Sequence, residues 1–315
     1  EMAFCDWSSD VCSSDLPTGG ATLDFGARDL GTGATSATQT IRVRNTGGVA
    51  TGALVVTITG GASPSYALPL DGCSGNPLGA NSTCDIAVRF NPAAIGAQPA
   101  TIQIRDNASG GTQAVNATGV GTGNIAVTKT GTGAVTSAPA GISCNGACPS
   151  QTGSFSTTPV TLTATPDAGW TFDSWGGACA SAGSTNVCSV AITQALTNVS
   201  ATFRQLFTLT IATTGAGAVT SNPFGITCGT GGTDCSEPYL IGTNVQLTAD
   251  PDPGYEVASW TGSGVSCGPA QRTCAVSMTQ ARTVAVEFRP LRTLTVSTVG
   301  TGVGTITGGG INCVS

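Results

Sequence analysis

Apolar and polar residues alternate with a period of two along most of the chain, in short runs broken by turn residues. TLDFG (22–26), TIRVRN (40–45), ALVVTIT (53–59), CDIAVRF (84–90), ATIQIRD (100–106) and TQAVNATG (112–119) each read as a strand. Further along, VTLTATPDAGW puts Val160, Leu162 and Ala164 on one face before Pro166, Asp167 and Gly169 turn the chain. No stretch has the caps and the 3.6-residue period of a long amphipathic helix. No uninterrupted apolar run reaches the length of a membrane span, so no span is expected in this portion. The expected class is all-β.

The second half repeats itself. Residues 124–205 and 206–290 are two copies of one unit offset by 84 or 85 positions, and a third copy begins at 291 and is expected to be cut off at Ser315. The landmarks keep step: Gly131, Gly215 and Gly300; Cys144, Cys228 and Cys313; Trp175 and Trp260; Phe203 and Phe288. A period of this length is the mark of an array of small domains. Residues 17–122 stand outside the repeat, and their strand spacing suggests an immunoglobulin-like sandwich. Short links are expected at Gly119–Gly123, Arg204–Leu206 and Arg289–Arg292, and with them a semi-rigid, monomeric rod.

DWSSDVCSSDL, at 6–16, resembles the conceptual translation of a sequencing-library adapter, so residues 1–16 are set aside as an artefact without a fold. The natural protein is expected to be longer in both directions. Glu1, Asp6, Asp10 and Asp15 are four of the 17 acidic residues, and without them 13 acids face 11 bases, so the net charge of −6 becomes −2. Cys5 and Cys12 fall away as well, leaving 11 of 13 cysteines. The basic residues are scattered. Arg42 and Arg44 alternate on one strand and read as its solvated face. A nucleic-acid binder carries a basic stripe, so neither nucleic acid nor an anionic membrane is an expected target.

The cysteines fall in near pairs: Cys73 with Cys84, Cys144 with Cys148, Cys179 with Cys188, Cys228 with Cys235, and Cys267 with Cys274. Cys313 aligns with Cys144 and Cys228, and its partner is expected beyond Ser315. Zinc wants soft ligands at recurring spacing, often with His. Here the gaps run from four to eleven, corresponding gaps differ between copies, and His is absent. Loop-closing disulfides tolerate that variation, and they outweigh both zinc and free buried thiols. They imply an oxidising compartment: periplasm, cell surface or medium. A unit of this size is marginal on its own, and each closure adds about 2–3 kcal/mol by the chain-entropy estimate. The five-residue Cys144–Cys148 ring is the tightest of the pairings.

Two readings stay open for the aromatics. Trp175 and Trp260 are core anchors of small β modules or exposed platforms for stacking a sugar ring, with the first favoured. Trp170 becomes Tyr255 in the next copy, which keeps an aromatic and suits either reading. Asp250, Asp252 and Glu256 together suggest calcium, but the first copy keeps only Asp167 there, and a structural turn is the stronger reading. Sequons at Asn81, Asn107, Asn116 and Asn198 arise easily in a chain so rich in Ser and Thr. With no His there is no Ser-His-Asp or Cys-His device. Lys129 is the single lysine, and the Gly-rich stretches lack a P-loop Lys. No catalytic, cofactor-binding or metal site is expected, and no cofactor.

LDFG (23–26), VRNTGG (43–48), the Cys73–Cys84 pair, VRFNPAAIG (88–96) and ATGVGTG (117–123) together resemble the Ig-like domain of the ASPM–Hydin type, met in bacterial choice-of-anchor surface proteins. That resemblance implies a seven-stranded sandwich serving as spacer or scaffold. GTGAVTSAPAGISC (131–144), VTLTATPDAGWTFDSWGGAC (160–179) and NVSATF (198–203) resemble the divergent internalin B-type bacterial repeat. GAGAVTSNPFGITC (215–228), VQLTADPDPGYEVASWTG (245–262) and TVAVEF (283–288) answer them in the second copy. This second resemblance implies small β-rich, grasp-like modules strung along an extracellular protein. The expected function is a non-catalytic structural or adhesive stalk that meets a protein or glycan surface ligand. The alternative is a carbohydrate-binding accessory region of a secreted enzyme whose catalytic domain lies outside these residues.

Overall fold

A computed structural model describes residues 22–31, 38–296, 299, 304–308 and 311–314. The adapter-like residues 1–16 and Gly300 lie outside the described residues. The fold is all-β: the described residues form strands and two short 3-10 turns, with no α-helix. The chain divides into two compact units, residues 1–205 and 206–315.

Unit one holds two cores. Around the first, strand Thr22–Asp29 runs parallel to Thr112–Thr130, which pairs antiparallel with Ala100–Asp106, and that strand with Leu54–Thr59. A second sheet sets Gln39–Arg44 and Tyr66–Asp71 on either side of Thr83–Phe90. Side chains alternate across a strand, so Ile41 and Val43 point inward to join Ile86, Val88, Ile102 and Ile104 in one buried cluster. Burying each of these stabilises by roughly 1.5–3 kcal/mol. Arg42 lies on the other face, opposite Asp85, with Nε 2.9 Å from its carboxylate. The strand Tyr66–Asp71 has no clear alternation. It carries Pro69, which cannot donate to a ladder, and its register slips between Ala67 and Leu70.

The stretch Gly119–Gly123 is no link. It lies inside the 19-residue strand Thr112–Thr130, whose buried face reads Val115, Ala117, Gly119, Gly121, Gly123, Ile125 and Val127. A Cβ on Gly119 would strike the Phe90 ring, one on Gly121 the Ala94 carbonyl, and one on Gly123 the Ile192 side chain. These glycines serve close approach rather than flexibility, and so the strand continues from the first core into the second. Asp29 adds hydrogen bonds there, accepting from the Thr122 hydroxyl at 2.7 Å and the Asn124 amide at 2.9 Å. Residues 204–206 likewise lie within the strand Leu196–Thr214, and 289–290 within Arg282–Pro290. Both other expected links are thus partly or wholly strand.

Around the second core, one sheet runs Ser150–Phe155, the end of Thr112–Thr130, the start of Leu196–Thr214, and Trp170–Gly177. The facing sheet runs Ser143–Cys144, Gly133–Ala138, Val160–Pro166, Val187–Val190. Val160, Leu162 and Ala164 are all buried in the core between them.

Unit two builds the same arrangement. Ser236–Leu240, the end of Leu196–Thr214, Arg282–Pro290 and Tyr255–Gly262 form one sheet. Thr227–Gly229, Gly217–Asn222, Asn244–Pro251 and Thr273–Ser277 form the other, extended at its edges by Gly232–Asp234 and Val265–Ser266. Each repeat is therefore two sheets about one core, and any likeness to a grasp fold is confined to its strands.

Candidate functional site

The residues that recur between the copies meet one another. Gly131, at φ +81°, would put a Cβ onto the Phe203 carbonyl, and Gly133 would put one onto the Phe203 ring. Gly215 and Gly217 stand in the same relation to Phe288. Only glycine permits this approach of a hairpin to the last strand of its module.

Trp175 and Trp260 are placed by a bulge. The register of Trp170–Gly177 against Leu196–Thr214 shifts between Phe172 and Ser174, and that of Tyr255–Gly262 against Arg282–Pro290 between Val257 and Ser259. One extra residue, Asp173 or Ala258, lets two core-facing side chains stand three positions apart, where strict alternation would oppose them. Phe172 packs on Trp175 with ring centroids 5.2 Å apart, and on Phe203 at 5.6 Å. Trp175 is 4% exposed and Trp260 7%. The Trp175 indole N–H donates to the Thr185 carbonyl and that of Trp260 to the Gln271 carbonyl, each at 2.8 Å. Neither indole offers a face to a sugar, so the stacking reading fails for this pair. Trp170 and Tyr255 are half-buried, packed against the two repeat cores.

Five disulfides close: Cys73–Cys84, Cys144–Cys148, Cys179–Cys188, Cys228–Cys235 and Cys267–Cys274, with Cα atoms 4.7–5.8 Å apart. The first ties a loop to the strand Thr83–Phe90. The other four staple the two repeats, two in each. Their outer loops vary in length, whereas Cys144, Cys179, Cys188, Cys228 and Cys274 are buried in the cores.

The acidic residues near 250 do not converge. Asp250 faces Arg272 at 3.9 Å, Asp252 accepts from the Thr230 hydroxyl at 2.9 Å, and Glu256 meets Arg289 at 2.8 Å. No group of three metal-ligating side chains occurs among the described residues. Elsewhere the perturbed groups are structural. Burial raises the Asp106 carboxyl, but the Ala108 N–H, the Ser109 hydroxyl and the Gly52 N–H outweigh it and hold the group below its ordinary value. Burial pushes Tyr66 up to about 12, with the Asp24 charge adding to it, and its hydroxyl donates to the Gln98 carbonyl at 2.6 Å. The hydrogen bond from Arg42 holds Asp85 low against the opposing effect of desolvation. Burial likewise raises Tyr239, which bonds the Ser221 hydroxyl at 2.8 Å. No helix among the described residues is long and apolar enough to cross a membrane.

No curated protein matches the chain. Among solved structures it is similar to the secreted serine protease VesC from Vibrio cholerae at 12% identity and a TM-score of 0.26. That comparison covers 85% of this chain and 49% of the protease chain, so this chain spans about half the protease's length. Its score carries no argument about fold or activity. The model of the family described as "Divergent InlB B-repeat domain" matches residues 123–206 and 207–291. The two matches cover 84 and 85 of the 315 residues. With more than half its length so matched, and with each matched copy built about its own core on one shared plan, the chain belongs to the divergent InlB B-repeat family.

Proposed function

We propose that the chain is a non-catalytic stretch of a bacterial surface protein that works outside the cytoplasm as a structural or adhesive stalk. Residues 17–122 are read as an Ig-like domain of the ASPM–Hydin type in a choice-of-anchor protein, and 124–205, 206–290 and 291–315 as successive repeats. One observation carries this reading: the landmarks the two copies share are scaffold. Gly131 with Phe203, Trp175 with Thr185, and the paired cysteines each have a counterpart in the second copy. Of the acidic residues near 250, by contrast, the first copy keeps only a counterpart to Asp252, at Asp167, and the three hold separate partners. A module retained for its shape and varied on its surface suits spacing and presentation. The disulfides favour an oxidising compartment.

The test is surface labelling of intact bacteria that express the native gene, with an antibody raised against residues 123–291. Labelling of intact cells supports the reading. Signal only after lysis, with free thiols in the purified protein, sinks it. The alternative, a carbohydrate-binding appendage of a secreted enzyme, is weakened by the burial of Trp175 and Trp260.

A further inference from the structure

The exposed ring closed by Cys144 and Cys148 holds Asn145 and Gly146, the single Asn-Gly pair in the chain. Asn145, Gly146 and Ala147 are all exposed. The turn closes through the Cys148 N–H, which donates to the Asn145 carbonyl at 3.1 Å, and the Lys129 ammonium, which donates to the Gly146 carbonyl at 2.6 Å. The Gly146 N–H donates to no acceptor among the described residues. Beyond its two chain neighbours, no heavy atom among the described residues lies within 4 Å of where a Gly146 Cβ would sit, and the residue is open to solvent. A backbone nitrogen that is unshielded, unbonded and borne by glycine is the nucleophile that attacks a preceding Asn side chain.

The chain contains its own counter-example. Asp71 and Gly72 are the single Asp-Gly pair, the other sequence prone to imide formation. There the Gly72 N–H donates to the Asp85 carbonyl at 2.9 Å, and the Asp71 carboxylate accepts from the Cys73 and Ser74 N–H groups at 3.0 and 2.9 Å. Both reacting groups are held, and attack would break the bonds that order the Cys73 loop.

We infer that Asn145 is a site of spontaneous post-translational modification, passing through a succinimide to aspartate and isoaspartate, while Asp71 is protected by the fold. The Gly146 nitrogen forms a bond to the Asn145 Cγ and loses its proton to water. The Cγ–Nδ2 bond breaks, and Nδ2 takes up a proton and leaves as ammonia. Water then adds to the imide. Addition at Cγ yields aspartate; addition at the main-chain carbonyl yields isoaspartate, which routes the backbone of the ring through Cβ. Either product removes the amide donor that meets the Ser143 hydroxyl at 3.2 Å and adds one negative charge to a turn braced by the only lysine. The second repeat, with GTGGTD between Cys228 and Cys235, has no Asn there and does not age in this way.

The test uses the purified chain with its disulfides intact, stored warm in mildly alkaline buffer and sampled over weeks. Peptide mapping by mass spectrometry reads conversion, about 1 Da heavier per event, and an isoaspartyl methyltransferase reads the isoaspartate. Asn145 is expected to convert at least about tenfold faster than Asn107, Asn116 or Asn198. Asp71 is expected to stay unlabelled until the protein is reduced and unfolded, when it joins Asn145. Conversion at Asn145 no faster than at the other asparagines overturns the inference. So does isoaspartate at Asp71 in the folded protein at the rate of Asn145. Asn145→Gln serves as the negative control, because its longer side chain does not close the five-membered ring.

Discussion

The phenyl ring of Phe203 occupies the place where Gly133 would carry a side chain, and Phe288 stands in the same relation to Gly217. Each pair joins the opening hairpin of a repeat to its closing strand. A methyl group at Gly133 must displace a ring that is itself 3% exposed and packed on Phe172. Gly133→Ala is expected to destabilise the first repeat by about 1–3 kcal/mol through overpacking, and Phe203→Ala by about 3–5 kcal/mol through the cavity left behind. Amide hydrogen exchange, read separately over 124–205 and 206–290, checks both. Protection should fall in the first repeat and hold in the second.

Trp175 and Trp260 act as hydrogen-bonded core anchors. Trp175→Phe removes the donor to the Thr185 carbonyl and should cost about 1–3 kcal/mol. The same change at Trp260 should do likewise through Gln271. Iodide quenching supplies an independent check: the emission of both residues should be protected in the folded protein, and adding sugars should leave it unchanged. A sugar-dependent shift traced to either residue contradicts this placement.

The disulfides of the two repeats should contribute comparably despite their different loops. Replacing Cys179 and Cys188 together by Ala is expected to cost about 2–4 kcal/mol, seen as a lower denaturant midpoint for the first repeat. Thiol titration of the unreduced protein should find Cys73, Cys84 and the eight paired repeat cysteines unreactive.

Stability should fall away at both ends of the pH scale for assignable reasons. The Asp106 carboxyl sits below its ordinary value when folded. Its contribution is therefore present above the unfolded value of about 3.9 and is lost as pH drops through the folded one. Tyr66 is raised to about 12 from 10.0, so its contribution is complete below the unfolded value and is lost as pH climbs toward 12. Asp106→Asn should lower stability at neutral pH and flatten the acid limb, while Tyr66→Phe should flatten the alkaline one. Denaturant midpoints collected across pH decide this, and an acid limb unchanged in Asp106→Asn refutes the assignment.

Arg42 and Asp85 face each other across two strands with both side chains substantially exposed. Solvent screening leaves such a pair worth about 0–1 kcal/mol. Arg42→Ala should shift stability by no more than that, a contrast with the buried contacts above that the same unfolding measurement reveals.

Several features were legible in the residues because they are local. Alternation locates Ile41, Val43, Leu162 and Ala164 on inward faces, since a strand has only two faces to choose between. Cysteine spacing brings each pair within reach of its partner. Other features were not legible. The strand Tyr66–Asp71 is masked by Pro69 and a slipped register, both of which spoil the alternation that would reveal it. Gly119, Gly121 and Gly123 read as a link because glycine signals turns when nothing else is known. Their real constraint is the Phe90 ring, the Ala94 carbonyl and Ile192, all distant in the chain.

The amino-acid sequence by itself determined the all-β class, the two-copy period, the cysteine pairs and the absence of histidine chemistry. Each follows from periodicity, composition or spacing, which are properties of neighbours along the chain. Tertiary structure alone decided which way Trp175 and Trp260 face, because the bulges at Asp173 and Ala258 reset the alternation before them. It likewise decided that Gly72 is shielded and Gly146 is not, since the acceptor for Gly72 is a carbonyl on a neighbouring strand. Partners set by packing across sheets carry no mark in the local sequence, and there the fold, not the pattern, selects the chemistry.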